Sequence, residues 1–307
     1  MQKSIPILFL FSAHIAYAIV DFETCLASDD SSSFKDLKMV SRTYVPYGTD
    51  QLNPDSGKYG YGYGMGALER TAYDYEQKYF YGASEQGQVT VTDFSDPANP
   101  QVLPEEYMID VGGTLTDIQV CPEKSLLFIT SLTGGSGGIG DVLIYSTYKR
   151  DSYSSVELLA TIPVGYHPDN LKPNPTCDII AVANEGEGTY DDEEGLKDPV
   201  GSISIIDVNS LTATNVPIDK WTDEELIDMG VHLPLPKKAL NYWNTYSSIA
   251  DDLNFDEAID KYETAQNLEP EYLAWSADSK YLYVNLQENS AIITVDVEAM
   301  EATTIAP

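Results

Sequence analysis

The sequence predicts an all-β fold of the β-propeller type, and three observations predict it. Four segments share one pattern: an apolar stretch, a small turn, a β-rich run, a polar loop and a second β-rich run. They recur at a spacing of about fifty residues, and short antiparallel strands repeated at that length are the mark of blades stacked around a channel. Tyr (22) far outnumbers Phe (8), and Gly (21) and Pro (17) are frequent, which favours strands joined by turns over helices. With 307 residues, 43% of them hydrophobic, the chain can bury a sizeable core.

The N-terminus comes first. "MQKSIPILFLFSAHIAYAIVDFE" has a basic start at Lys3, an apolar run from Ile5 to Phe11 too short to span a bilayer, and the small-x-small site Ala16-Tyr17-Ala18. Residues 1–18 therefore read as a signal peptide, with the mature chain beginning near Ile19; a buried N-terminal strand is the alternative. Residues 19–66 form an N-terminal segment that ends in the Gly-Tyr lead "KYGYGYGMG" (58–66). A partial propeller domain follows over 67–307. No later stretch is long enough for a membrane helix.

The paired β-rich runs are 78–94, 125–146, 177–208 and 280–297. Alternation such as Val89-Thr90-Val91-Thr92 buries one face of a strand. Each pair follows an apolar stretch, "LERTAYD" (68–74), "TDIQVCP" (116–122), "PDNLKPN" (168–174) or "PEYLAWS" (270–276), that supplies the innermost strand. A fourth strand such as "LLATIPV" (158–164) follows every pair but the last, so about four blades are visible, the final one ending after its third strand.

A helical insertion interrupts the period over about 218–267. "TDEELIDMG" opens with Thr222 as N-cap and Glu225 three residues later, a capping box. "NFDEAIDKYETAQN" (254–267) has Asn254 as cap and sets Phe255, Ile259 and Tyr262 on one helical face. A tetratricopeptide unit is excluded, because stacked helical repeats need neighbours.

Charge comes next. Seventeen basic against forty-nine acidic residues give a net charge of -32, which repels nucleic acid and anionic membranes and attracts cations. Aligning the units on Tyr79, Leu126, Ile179 and Tyr281 and counting back ten residues (nine in the second unit) gives Glu69, Asp117, Asp169 and Glu271. A carboxylate thus stands at each entry to an innermost strand. Six residues forward lie Glu85, Leu132, Glu185 and Gln287, with Glu288 next. In a propeller both sets open on one face of the disc, the first around the channel mouth and the second just outside it. Crowded like charges call for a hard divalent cation, and Ca²⁺ suits an acidic secreted chain. The rival reading is ordinary polar capping of strand ends. The EF-hand pattern is absent. Within "ANEGEGTYDDEEG" (183–195), the forward count reaches Glu185, and "YDDEEG" (190–195) reads as a solvated loop.

Enzymatic constellations are thin. There is no G-x-S-x-G elbow, no H-E-x-x-H and no phosphate-cradling loop; "GGSGGIG" (134–140) falls in a hairpin and opens no helix. No nucleophile is visible, and the chain reads as a non-enzyme. Cys25, Cys121 and Cys177 permit one disulfide and leave one thiol over, with the pairing open.

"ALERTAYDYEQKYFYGASEQGQVTVTDFSDP" (67–97), "PDNLKPNPTCDIIAVANEGE" (168–187), "DPVGSISIIDV" (198–208) and "LEPEYLAWSADSKYLYVNLQENSAIITVDV" (268–297) resemble the mesenchyme-specific cell-surface glycoproteins of biomineralising animals and their bacterial relatives, the choice-of-anchor I proteins. "NEGE" and "LEPEY…LQEN" are the most specific blocks, and "GVHL" (230–233) matches a Gly-Val element of the family's insertion; because "NEGE" (184–187) belongs to the family pattern, the resemblance makes Glu185 and Glu187 the better metal candidates of their acidic stretch. The resemblance implies a seven-bladed, YVTN-like propeller, secreted or anchored at the cell surface, in longer proteins than this one. It implies a part in depositing calcium carbonate skeleton or shell. The partners expected are calcium ions or the mineral, with matrix proteins or glycans beside them. No N-glycosylation sequon is present. Two further readings stand: a metal-dependent, phosphatase-like hydrolase, and a propeller that binds protein or glycan with incidental acidity.

Overall fold

The computed structural model describes residues 39–42, 68–132, 138–150, 156–191, 195–246 and 259–307. The expected signal peptide, Cys25, the Gly-Tyr lead and residues 254–258 of the second helical pattern lie outside the described residues. The chain divides after Arg42, and the architecture is that of residues 68–307.

Four antiparallel sheets follow one another in chain order. Blade 1 comprises β1 (Leu68–Asp74), β2 (Tyr79–Ser84), β3 (Gln88–Asp93) and the short β4 (Gln101–Val102), with β5 (Ile109–Asp110) also on β3. Blade 2 comprises β6 (Thr114–Cys121), β7 (Leu126–Leu132), β8 (Ile139–Ser146) and β9 (Leu158–Tyr166). Blade 3 comprises β10 (Pro168–Pro173), β11 (Ile179–Asn184), β14 (Ser202–Asp207) and β15 (Thr212–Pro217), with the hairpin β12 (Thr189–Asp191) and β13 (Gly195–Lys197) between its middle strands. Blade 4 comprises β16 (Pro270–Trp275), β17 (Tyr281–Leu286), β18 (Ala291–Asp296) and β19 (Glu301–Ala306). The first strands β1, β6, β10 and β16 neighbour each other in sequence, as the inner strands of propeller blades do.

The turns repeat a device. Lys78, Ser125, Cys177 and Ser279 take left-handed backbone (φ 58°, 54°, 54° and 58°) just before the second strand of each blade. Short polar side chains complete these turns: Asp74 Oδ1 accepts from the backbone N–H of Glu76 and Gln77, and Asn174 Oδ1 from those of Asp178 and Ile179.

Three apolar seams bind the blades. Tyr79, Tyr81, Ala83, Val89 and Val91 of blade 1 meet Ile118, Leu127, Ile129 and Leu143 of blade 2. Phe128, Val142, Ile144 and Ile162 of blade 2 meet Leu171, Ile180, Val182 and Ile206 of blade 3. Ala181, Ala183, Ile203 and Ile205 of blade 3 meet Leu282, Val284, Leu286, Ile293 and Val295 of blade 4. A disulfide joins Cys121 to Cys177 across the second seam, beside the ion pair of Lys124 with Asp178.

Three details depart from the sequence expectation. The last unit has a fourth strand, β19, where the chain was expected to end after its third. Only Ala302 and Ile305 of β19 are buried, so the strand lacks the alternation that marks the others. In the insertion, α1 (Asp223–Met229) carries the predicted capping box and stops at Gly230 (φ 90°). It is followed by a second helix, α2 (Lys237–Tyr246), that was not anticipated. The predicted helix over 254–267 does not run to its end. Helix stops after residue 260, and Thr264–Asn267 form a separate 3-10 turn that Gln266 closes by accepting the Glu263 N–H at 2.7 Å. Leu226, Val231 and Leu233 plug the insertion into the core between blades 3 and 4.

Candidate functional site

In all four blades the ladder between first and second strands slips near its start. The breaks fall between Leu68 and Arg70, Leu115 and Asp117, Pro168 and Asn170, and Pro270 and Tyr272. The residues left out are Glu69, Thr116, Asp169 and Glu271. A bulge residue escapes the ladder and is free to be re-aimed, which is why bulges collect at functional mouths. Three of the four predicted ring acids therefore share a true structural position. Asp117 does not: the structural equivalent in blade 2 is Thr116, and Asp117 aligns with Arg70, Asn170 and Tyr272. The side chain of Glu69 lies outside the described residues.

One residue of phase gives Asp117 a different task. It is buried, and its Oδ2 accepts from Asn170 Nδ2 at 2.7 Å and from the Leu171 N–H at 3.0 Å, both on the next blade. Its Oδ1 accepts from the Ile118 N–H at 2.8 Å. Burial pushes its carboxyl up to about 6, against the pull of those donors and of Arg70. Asp117 is thus an interblade clamp with both oxygens engaged. Asp169 faces a cation: its Oδ2 lies 3.6 Å from Arg70 Nη2. Arg70 also donates to the Tyr272 hydroxyl at 2.5 Å and lies over that ring at 5.1 Å, linking blades 1, 3 and 4.

The remaining acids gather through the motif "NEGE". Asn184 is buried; it donates to Ser202 and Ser204 hydroxyls and accepts the Gly165 N–H. Glu185 and Gly186 extend the ladder by donating backbone N–H to the carbonyls of His167 and Tyr166. Gly186 is left-handed (φ 73°), and a Cβ there would fall 2.8 Å from the Pro199 carbonyl, so the turn that separates Glu185 from Glu187 requires glycine. His167, itself left-handed (φ 46°), sits between the two acids, with Nε2 3.8 Å from Glu185 Oε2 and Nδ1 3.0 Å from Glu187 Oε2. The shorter distance lacks the alignment of a hydrogen bond.

Across from this turn stand "LEPEY" and "LQEN". Asn289 is fully buried and donates to the carbonyls of Asn267 (2.5 Å) and His232 (2.8 Å). It thereby staples "GVHL" of the insertion to the turn that carries Glu288. The result is a cleft of about 320 Å³ lined by Glu185, Glu187, Asp198, Glu269 and Glu288, with Pro234, Leu235, Gln266 and Asn267 as its other wall. Among the described residues, five carboxylates and no basic side chain line it.

These acids hold protons unusually well. Burial, then Asp169, Glu187, Glu269 and Glu271, push Glu185 up to about 8. Burial, then Glu288, Asp198, Glu187 and Glu271, push Glu269 up to about 7. Glu271, 8% exposed, is pushed up to about 7 by burial and then by Glu288, whose carboxyl lies within hydrogen-bonding reach. Burial alone raises Asp198 to about 6. Two carboxyls in such contact need a proton on one of them or a cation between them. Glu288 Oε2 is buried without a donor partner.

Oxygen donors of this kind suit a hard divalent cation. Among the described residues, however, the set of three His, Cys or acidic side chains whose donor atoms fall within 4.8 Å of one another is Cys121, Glu123 and Cys177, where the disulfide consumes both thiols. No three of the cleft carboxylates described bring their oxygens that close together. The sequence reading placed Glu185 and Glu187 here and Glu271 just behind. It named Glu288 only as the neighbour of Gln287 in the outer set, and did not select Glu269, Asp198, Arg70 or His167. Of these, Glu269 and Glu288 lie inside "LEPEY" and "LQEN", and the like-charge crowding they complete appears only on folding.

Blades strung in chain order, with an acidic cleft where an insertion folds over the inner-strand turns, define a propeller-type domain. The chain belongs to the choice-of-anchor I domain family, which matches residues 69–307. It is 25% identical over 218 residues to a mesenchyme-specific cell surface glycoprotein from Strongylocentrotus purpuratus, a match covering 59% of this chain and 27% of that protein. The chain thus spans about a quarter of that relative's length. Among solved structures, a crystal structure of a nidogen/laminin complex covers 79% of this chain and 64% of that one, at 11% identity and a TM-score of 0.43.

Proposed function

We propose that this chain is an acidic extracellular or cell-surface propeller that concentrates Ca²⁺, or adsorbs to calcium carbonate, as a matrix component of biomineralisation. One observation carries the reading. Among the described residues, five carboxylates and no basic side chain line a single cleft, and burial first, then mutual repulsion, raises Glu185 there as far as about 8. A divalent cation relieves that repulsion better than protons do once pH exceeds these values. The net charge of -32 adds a long-range field that enriches cations at the surface. The relative's description as a cell surface glycoprotein supports the location. So does the Cys121–Cys177 disulfide, which persists in oxidising compartments. No helix among the described residues is long and apolar enough to cross a membrane.

Calorimetric titration of the mature chain with Ca²⁺ at pH 8 tests the reading, with Glu185→Gln/Glu269→Gln/Glu288→Gln as the control. Saturable heat that the triple variant loses supports a site at the cleft. Absence of heat in the parent chain contradicts it. Adsorption to calcium carbonate powder, lost with the same variant, extends the result to mineral. Turnover of a phosphomonoester by the parent would move the assignment to the hydrolase reading.

A further inference from the structure

The seam between blades 2 and 3 is apolar where Ile180, Val182 and Ile206 meet Val142, Ile144 and Ile162. Toward Asn184 it changes character. The β14 side chains on this face run Ile206, Ser204, Ser202, and their partners on β15 are Ala213, Asn215 and Pro217. Ser204 stands opposite the fourth residue of its blade's second strand. In blades 2 and 4 that place belongs to Leu143 and Ile293, both buried in their seams. Serine leaves space where they fill it. A groove of about 450 Å³ opens between the outer strands β9 and β15, within the size range of ligand clefts.

The groove offers both kinds of hydrogen-bonding group. Ser202 and Ser204 line it, 8% and 2% exposed, and their hydroxyl oxygens accept from Asn184 Nδ2 at 3.1 Å and 2.9 Å. Asn184 is itself fixed, its Oδ1 accepting the Gly165 N–H at 3.0 Å. A hydroxyl that accepts still has a proton to donate, and among the described residues neither serine meets an acceptor for it. Two buried O–H donors are thus left unpaired at the cavity, which is costly until a ligand oxygen arrives. Asn215, Asp219 and Glu263, all exposed, supply acceptors at the rim. The walls are apolar: Val164 and Tyr166 alternate onto this face of β9 after the buried Ile162, and Pro217 lines the β15 side. Among the described residues, no basic side chain lines the groove. A matching ligand must accept from the serines, donate to carboxylates and rest C–H surface on the walls. Alcohols both donate and accept, and a sugar ring joins several of them to an apolar face. Anions are repelled by Asp219 and Glu263, and a cation has no acceptor to give the serine protons. We propose that this groove binds a neutral saccharide. It shares no lining residue with the acidic cleft and needs no metal, so it stands apart from the calcium reading.

Saturation-transfer NMR on the full mature chain in EDTA tests it. The probes are the methyl glycosides of glucose, galactose, mannose, N-acetylglucosamine and N-acetylgalactosamine, with the methyl glycoside of glucuronic acid as the anionic control. At least one neutral glycoside should receive saturation, and the glucuronic acid glycoside none. Ser204→Leu fills the floor as Leu143 fills the equivalent place in blade 2, and should abolish the transfer with an unchanged circular dichroism spectrum. Asp219→Ala, at an exposed rim position, should weaken binding about tenfold, and it gives the answer where Ser204→Leu does not fold. Glu185→Gln/Glu269→Gln/Glu288→Gln should bind the glycoside as the parent does. Silence of every neutral glycoside, transfer that survives Ser204→Leu, binding unchanged by Asp219→Ala, loss of binding in the triple variant, or equal transfer to the glucuronic acid glycoside overturns the proposal.

Discussion

Between blades 2 and 3, the buried Asp117 carboxylate meets two donors of the next blade, with a disulfide and the Lys124–Asp178 pair outside it. Above blades 3 and 4, Glu185, Glu269, Glu271 and Glu288 meet chiefly one another. Both groups lie near the same end of the inner strands, and the sequence alignment of the units makes Asp117 and Glu271 equivalents. What separates them is the neighbour that the next blade supplies. Asn170 and the Leu171 N–H turn one buried acid into an interblade bond, whereas acids opposite acids become stored repulsion. Carboxylates of the first kind hold the propeller together. Those of the second kind make it responsive to protons and, on the function proposed above, to cations.

The comparison can be broken at several points, the largest effect first. Replacing both Cys121 and Cys177 by Ser frees a separation of 56 residues and should cost about 4 kcal/mol on the loop-closure estimate. Chemical denaturation of the parent and the double variant measures it, and a loss near zero would remove this seam's covalent role. Asp117→Ala leaves the Asn170 amide and two backbone N–H groups unpaired in the core, at a cost of roughly 3 kcal/mol. That loss should be the same with or without Ca²⁺; a calcium-dependent loss would return Asp117 to the ion site.

The acids of the cleft should show the opposite sign. A carboxyl raised in the folded state contributes stability that is full below its unfolded value and is lost as pH rises through its folded value. For Glu185 that window runs from its ordinary 4.5 to about 8, and Glu269 and Glu271 add to it up to about 7. The melting temperature of the calcium-free chain should therefore fall between pH 5 and pH 8, and millimolar Ca²⁺ should recover most of the fall. A flat profile would mean that the repulsion is relieved in some other way. The smallest effect is that of Glu185→Gln alone. It should raise the calcium-free melting temperature at pH 8 slightly and weaken Ca²⁺ binding about tenfold, the equivalent of ~1.4 kcal/mol.

Much of this architecture was legible in the residues. The four inner strands fall where apolar stretches precede alternating runs, and the Thr222–Glu225 capping box marks the start of α1 to the residue. Strand β19 was not legible, because an outer strand that buries two side chains shows no alternation. Nor was the slip that exchanges Thr116 for Asp117, since one bulge residue changes phase without changing composition. Spacing gave no means of choosing partners among three cysteines. Glu185 and Glu187 stood out because "NEGE" is part of the family pattern, and the glycine turn that separates them became visible only in the fold. Asp198, Glu269 and Glu288 join them only through the stapling of the insertion by Asn289, a contact between distant segments.

The most direct test counts protons. Carboxyls raised to about 7 and about 8 hold protons at pH 7 that an arriving Ca²⁺ must displace. Calcium should be titrated calorimetrically into the mature chain at pH 7 in two buffers of different ionisation enthalpy. Saturable binding with net proton release, both lost in Glu185→Gln/Glu269→Gln/Glu288→Gln, is the predicted result. Binding without proton release, or no binding at all, would contradict the assignment of the cleft as the cation site.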